Sequence, residues 1–131
     1  MTHRIKINDG MSVDTGQPTR EELERLAQAG FKTVVNLRTA GEPNQPLSPE
    51  AEGDVARQAG LDYLHIPVAS TDPRPEQVDQ FRAQLAELPG PVLVHCASGK
   101  RSGAFAILQL ANQENLSGED ALARARTLGF D

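Results

Sequence analysis

Hydrophobic and polar positions divide the chain into alternating helical and extended stretches. The first seventeen residues are the least regular, with Ile5 and Ile7 spaced for a short strand and Ser12-Val13-Asp14-Thr15-Gly16 for a strand and turn. Thr19 and Glu22 have the spacing of a capping box, with Pro18 just ahead. Leu23, Leu26 and Ala27 then recur at helical intervals up to Gly30, which suits a helix C-terminus. Thr33 to Leu37 is β-rich and apolar, as a strand buried on both faces would be. After a loop holding Gly41, Pro43 and Pro46, Ser48 and Pro49 predict a second helix that Gly60 closes. Tyr63 to Ile66 reads as a strand, and Pro67 to Arg74 as a polar loop. A third helix opens at Pro75 with Val78, Phe81, Leu85 and Leu88 on one face. Pro89-Gly90-Pro91 ends it, and Val92 to His95 forms a further strand. A largely apolar helix is expected from residue 102 to about 113, and a last one from Ser117 to near Gly129.

Strands separated by helices predict an α/β fold: a mostly parallel sheet flanked by helices on both faces, in one domain over residues 1–131. Ligands of such sheets bind beyond the carboxyl ends of the strands. Cys96, the loop 67–74 and the loop 38–47 all fall at that edge.

Composition narrows the chemistry. The chain has 131 residues, 38% of them hydrophobic, enough for one core. No apolar run suits a membrane span, and the first residues do not read as a signal sequence. A formal charge of −5 with 4% aromatic residues argues against nucleic acid as a partner, since neither a basic surface nor a stacking platform is available. One cysteine and three histidines leave few soft ligands, so no metal site is expected. A lone cysteine fits a reducing, cytoplasmic setting.

The densest chemistry lies in Val92 to Gly103, which reads VLVHCASGKRSG. A strand, a tight loop and a helix aim backbone amides and a helix dipole at one point. Gly99 allows the turn, and a thiol placed there ionises readily. Arg101 can donate two parallel hydrogen bonds to a tetrahedral oxyanion, and the Ser102 hydroxyl can stabilise a thiolate. Taken alone, Cys96 would be a small buried hydrophobe at a strand end. The glycine, two cations and hydroxyl that follow it favour a nucleophile instead.

His95-Cys96-Ala97-Ser98-Gly99-Lys100-Arg101-Ser102 resembles the signature loop of cysteine-dependent protein phosphatases. With Gly30 to Arg38 and His65-Ile66-Pro67-Val68, the chain is similar, over roughly residues 12 to 130, to the bacterial β-lactamase-hydrolase-like phosphatase domains, compact relatives of dual-specificity phosphatases. The resemblance implies a phosphotyrosine-phosphatase-like fold and hydrolysis of a phosphate monoester, carried on a phosphorylated protein or a small ester, with no cofactor. It implies Cys96 as nucleophile, with Arg101 and the amides of Ala97, Ser98, Gly99, Lys100 and Arg101 binding phosphate. His95 and Ser102 would support the loop. Asp72, on the loop after a parallel strand, is similar in position to the acid that protonates the leaving oxygen, though an Asp ahead of Pro73 also suits a turn or cap. Arg38 and Glu42 could line the cleft, but an ordinary ion pair is the simpler expectation.

Four residues separate Cys96 from Arg101, one fewer than in the usual phosphatase loop, which shortens the contour by about 3.3–3.6 Å. The bacterial subfamily is similar in this, and so are rhodanese-type sulfurtransferases. A sulfurtransferase with a persulfide on Cys96 is therefore the second reading, and a non-catalytic anion- or protein-binding module the third.

Overall fold

The computed structural model describes residues 4–69, 71 and 74–130. Five strands form one sheet in the order β1-β2-β5-β3-β4. The strands are β1 Arg4–Asn8, β2 Met11–Asp14, β3 Thr33–Asn36, β4 Asp62–His65 and β5 Val92–His95. β1 pairs antiparallel with β2, and every other pairing is parallel. The first residues thus form a hairpin whose second strand joins the parallel sheet, a long-range pairing with β5 that local patterning does not specify.

The helices are α1 Arg20–Gln28, α2 Pro49–Gln58, α3 Pro75–Leu85, α4 Lys100–Glu114 and α5 Gly118–Leu128. Their starts follow the sequence signals. The Glu22 amide donates to Thr19 Oγ1 at 3.2 Å while the Thr19 amide donates to Glu22 Oε1 at 3.0 Å, a complete capping box. Ser48 Oγ accepts from the Ala51 amide and Ser117 Oγ from the Asp120 amide. Helix α4 begins two residues earlier than the apolar pattern predicts, so Arg101 and Ser102 belong to its first turn. None of the described helices is long and apolar enough to cross a membrane.

Alternation along the strands sorts the core into two layers. Val13, Val35 and Val94 pack with Phe81, Phe105 and Leu110 from α3 and α4. On the opposite face Val34 and Leu93 pack with Leu23, Leu26, Val55 and Ala56 from α1 and α2. Strand β5 lies between β2 and β3, hydrogen-bonded on both sides.

Its last residue completes a polar row, because Asp14, His95, Asn36 and His65 are register partners across four parallel strands. Asp14, Asn36 and His95 are buried. The carboxyl edge of the sheet is therefore polar beneath as well as above.

Candidate functional site

Cys96 follows β5, and Gly99 caps α4 with φ 92°. That backbone conformation suits glycine. A Cβ there would also lie 3.1 Å from the Thr15 Cα, so the loop sits directly on the end of β2.

The Cys96 side chain is 1% exposed and belongs to the core cluster, as the simpler reading of a strand-end cysteine anticipates. Its sulfur is nevertheless surrounded by donors. The Gly99 amide reaches Sγ at 3.2 Å, the Ser102 hydroxyl lies at 3.4 Å and the Ser102 amide at 3.5 Å. Burial pushes the thiol pKa up, but the Ser102 hydroxyl and the amides of Ser102, Ser98 and Gly99 outweigh it and hold the pKa below the ordinary value.

Arg101 stands beside this sulfur with its guanidinium already gripped. Nη1 donates to Glu42 Oε2 at 2.7 Å and to the Val68 carbonyl at 2.7 Å, and Nη2 donates to Glu42 Oε1 at 2.9 Å. A guanidinium has five N–H groups, and these three bonds use its end and one flank. The two left over, on Nε and Nη2, lie parallel along one edge, the fork that matches two oxygens of a tetrahedral anion. Its hydrogen bonds to Glu42, with the charge of the nearby Cys96 sulfur, raise the Arg101 pKa, despite its partial burial.

Glu42 is more than the ordinary ion-pair partner that its spacing from Arg38 suggests. The pair forms, Arg38 Nε donating to Oε1 at 2.9 Å. Glu42 also accepts from the Thr39 amide and hydroxyl, both at 2.8 Å, and spans to Arg101. The Arg101 bonds, ahead of those from Arg38 and Thr39, hold its carboxyl far below the usual carboxylate range against the cost of burial. Arg38 in turn donates to Gln17 Oε1 and to the Pro43 carbonyl, fastening the loop 38–47 against the chain before α1.

Beneath the loop, the His95 and Glu52 side chains are both 0% exposed, with Nε2 of one 2.6 Å from Oε2 of the other. His95 Nδ1 faces the Cys96 carbonyl oxygen at 3.5 Å.

The structure therefore gathers Cys96, Gly99, Arg101, Ser102 and His95 at one point. Ala97, Ser98 and Lys100 are exposed on the rim, so the Lys100 side chain points to solvent. Asp72 lies outside the described residues. Val68, four residues earlier in the chain, accepts from Arg101 through its carbonyl. Val68 and Glu52 are participants the sequence did not single out, and Glu42 was expected only as a cleft-lining residue or an ordinary ion-pair partner of Arg38. For Glu52 a signal existed, because it falls in the buried helical stripe of α2 with Val55 and Ala56, where a charge is out of place. Among the described residues no group of three or more His, Cys, Asp or Glu side chains could hold a metal ion.

The chain is similar to known phosphatase-like proteins in sequence and in fold. The sequence profile of the phosphatase-like domain of the β-lactamase hydrolase-like protein matches residues 5–113. A β-lactamase hydrolase-like protein of Xylella fastidiosa is 34% identical over 128 residues, 97% of this chain, but the chain spans only 29% of that relative's length. A crystal structure of a candidate phosphatase from Shewanella putrefaciens superposes with a TM-score of 0.81 at 30% identity, covering 95% of this chain and 78% of the other. Another from Neisseria meningitidis gives 0.80 at 25% identity over 97% and 89% of the two chains.

Proposed function

The chain belongs to the phosphatase-like domain family of β-lactamase hydrolase-like proteins, and on that premise we propose that it hydrolyses phosphate monoesters through a phosphocysteine on Cys96. The observation that carries this reading is the convergence of the Gly99 and Ser102 amides and the Ser102 hydroxyl on Sγ, beside an arginine whose Nε–Nη2 edge is taken neither by Glu42 nor by Val68.

The steps follow from those positions. A phosphate monoester docks with two equatorial oxygens on the Nε–Nη2 edge of Arg101 and its charge facing the loop amides. The Cys96 thiolate attacks phosphorus, forming the S–P bond as the P–O ester bond breaks. The departing oxygen takes the proton of the Asp72 carboxyl. Asp72 suits this role because it is four residues beyond Val68, within about 13–14 Å of extended chain from the Arg101 contact. Water then attacks phosphorus and gives its proton to the Asp72 carboxylate. The S–P bond breaks and inorganic phosphate leaves, with the thiolate restored.

The Ser102 hydroxyl stabilises the sulfur as nucleophile and again as leaving group, and Glu42 keeps the Arg101 plane fixed throughout. No step calls for a cofactor. The substrate class is a phosphorylated protein side chain or a small phosphate ester, and the whole of residues 1–131 serves as one phosphatase-like domain. A thiolate nucleophile suits a reducing, cytoplasmic setting.

The test is hydrolysis of an aryl phosphate by the wild type, Cys96→Ser and Asp72→Ala, alongside sulfur transfer from thiosulfate to cyanide. Cys96→Ser is expected to abolish hydrolysis, and Asp72→Ala to lower kcat by about 10²–10⁴. Sulfur transfer that requires Cys96 and ignores Asp72 would replace this reading with the persulfide one. An inert thiol in both assays would favour a binding module.

A further inference from the structure

Glu52 takes no part in the steps above, yet its carboxyl is fully buried against the residue that precedes the nucleophile. Stability alone is a poor reason for it. Its Oε1 has no hydrogen-bond partner among the described residues, and an apolar side chain of similar size in the α2 stripe would avoid that cost.

The hydrogen-bond inventory suggests another reason. Both nitrogens of the His95 ring face oxygens, Nε2 the Glu52 carboxyl at 2.6 Å and Nδ1 the Cys96 carbonyl at 3.5 Å. A carbonyl oxygen only accepts, so favourable contact there requires the hydrogen on Nδ1. The 2.6 Å contact needs one further proton between Nε2 and Oε2, whichever atom holds it more closely. The ring is thereby fixed in position and in protonation at Nδ1.

Other polar groups surround the pair without replacing it. Asp14 flanks His95 from β2, and its charge is felt there. Tyr63 faces Glu52 from β4, with its hydroxyl accepting from Asn36 of β3, and Arg57 of α2 lies over the Tyr63 ring. None of these forms a hydrogen bond with the His95 ring among the described residues.

We propose that Glu52 is a positioning residue: through its bond to His95 Nε2 it holds Nδ1–H on the Cys96 carbonyl, and so sets the first peptide of the loop whose amides converge on Sγ. The proposal rests on Cys96 being the nucleophile, but its consequence is a property of the thiol and needs no substrate. The side-chain bond of Glu52 is to His95 and not to the sulfur. It acts through the histidine.

Two variants and one spectrum test it. Glu52→Gln retains a donor for Nε2, its amide N–H, and with it the Nδ1–H form of the ring. Glu52→Met keeps the length of the side chain and removes the bond. The pH midpoint of Cys96 alkylation by iodoacetamide is expected to stay at the wild-type value in Glu52→Gln and to rise by about one pH unit in Glu52→Met. A role in filling space alone would leave Glu52→Met like the wild type, and that result overturns the proposal. So does a Glu52→Gln midpoint displaced as far as that of Glu52→Met. Nitrogen-15 NMR of the wild-type histidine rings gives an independent answer should Glu52→Met fail to fold, since His95 must show a protonated Nδ1. A bare Nδ1 overturns the assignment. Because neither measurement uses a phosphate ester, absence of phosphatase activity would sink the proposed reaction and leave this result readable.

Discussion

Gly99→Ala perturbs the site through its backbone. At φ 92° an alanine is strained, because its Cβ crowds the following carbonyl, at about 1–2 kcal/mol. The new methyl would also stand 3.1 Å from the Thr15 Cα and 3.3 Å from its Cγ2, so loop and strand must part by a few tenths of an ångström. The Gly99 amide, now 3.2 Å from Sγ, moves with the loop. A hydrogen bond to a charged acceptor contributes about 1.5–3 kcal/mol. Losing about half of it raises the thiol pKa by about one unit, at about 1.4 kcal/mol per unit. Urea denaturation should therefore show a loss of about 2 kcal/mol in stability. The pH profile of iodoacetamide alkylation should move upward by about one pH unit in the same variant. A Gly99→Ala protein with wild-type stability and an unmoved alkylation midpoint would refute the argument that this amide holds the sulfur.

Two further outcomes follow from charges at the sheet edge. Burial raises the Asp14 carboxyl from its ordinary 3.8 to about 6, against the pull of Arg4 and His95. The folded chain then binds the extra proton, so stability falls as pH rises from about 4 to about 6 and is level above that, a total of about 3 kcal/mol. Asp14→Asn should remove this slope and gain stability at neutral pH, less whatever the Arg4 contact at 3.7 Å contributes, and urea midpoints measured across that range check it. Glu42→Gln leaves Arg101 with a neutral partner, and kcat/KM for an aryl phosphate should fall about 10–100-fold, the equivalent of about 1.4–2.7 kcal/mol. An unchanged value would mean that the guanidinium needs no carboxylate to hold its fork in place.

Local signals in the sequence located most elements well. Thr19 with Glu22, Ser48 with Pro49, and Ser117 each mark a helix start through bonds that span three residues. The Cys96 loop was legible for the same reason, since its donors lie within six residues of the sulfur. Contacts of long range were not. Glu42 is 59 residues from Arg101 and Glu52 is 43 from His95. Their functions depend on the strand order, which places the loop after β3 and the first turn of α2 beside β5. Arg38 and Glu42 look like a simple ion pair because their spacing shows one bond and hides the second. The start of α4 was hidden too, because Lys100 and Arg101 are charged residues that an apolar pattern leaves out.

The central place of β5 in the sheet has a consequence for binding thermodynamics. A loop that hangs from a strand bonded on both edges is ordered when the domain folds, so a ligand meets donors whose conformational entropy has already been lost. The amides of β5 itself should be among the slowest to exchange with deuterated solvent, and heat should remove the anion site only when it removes the fold.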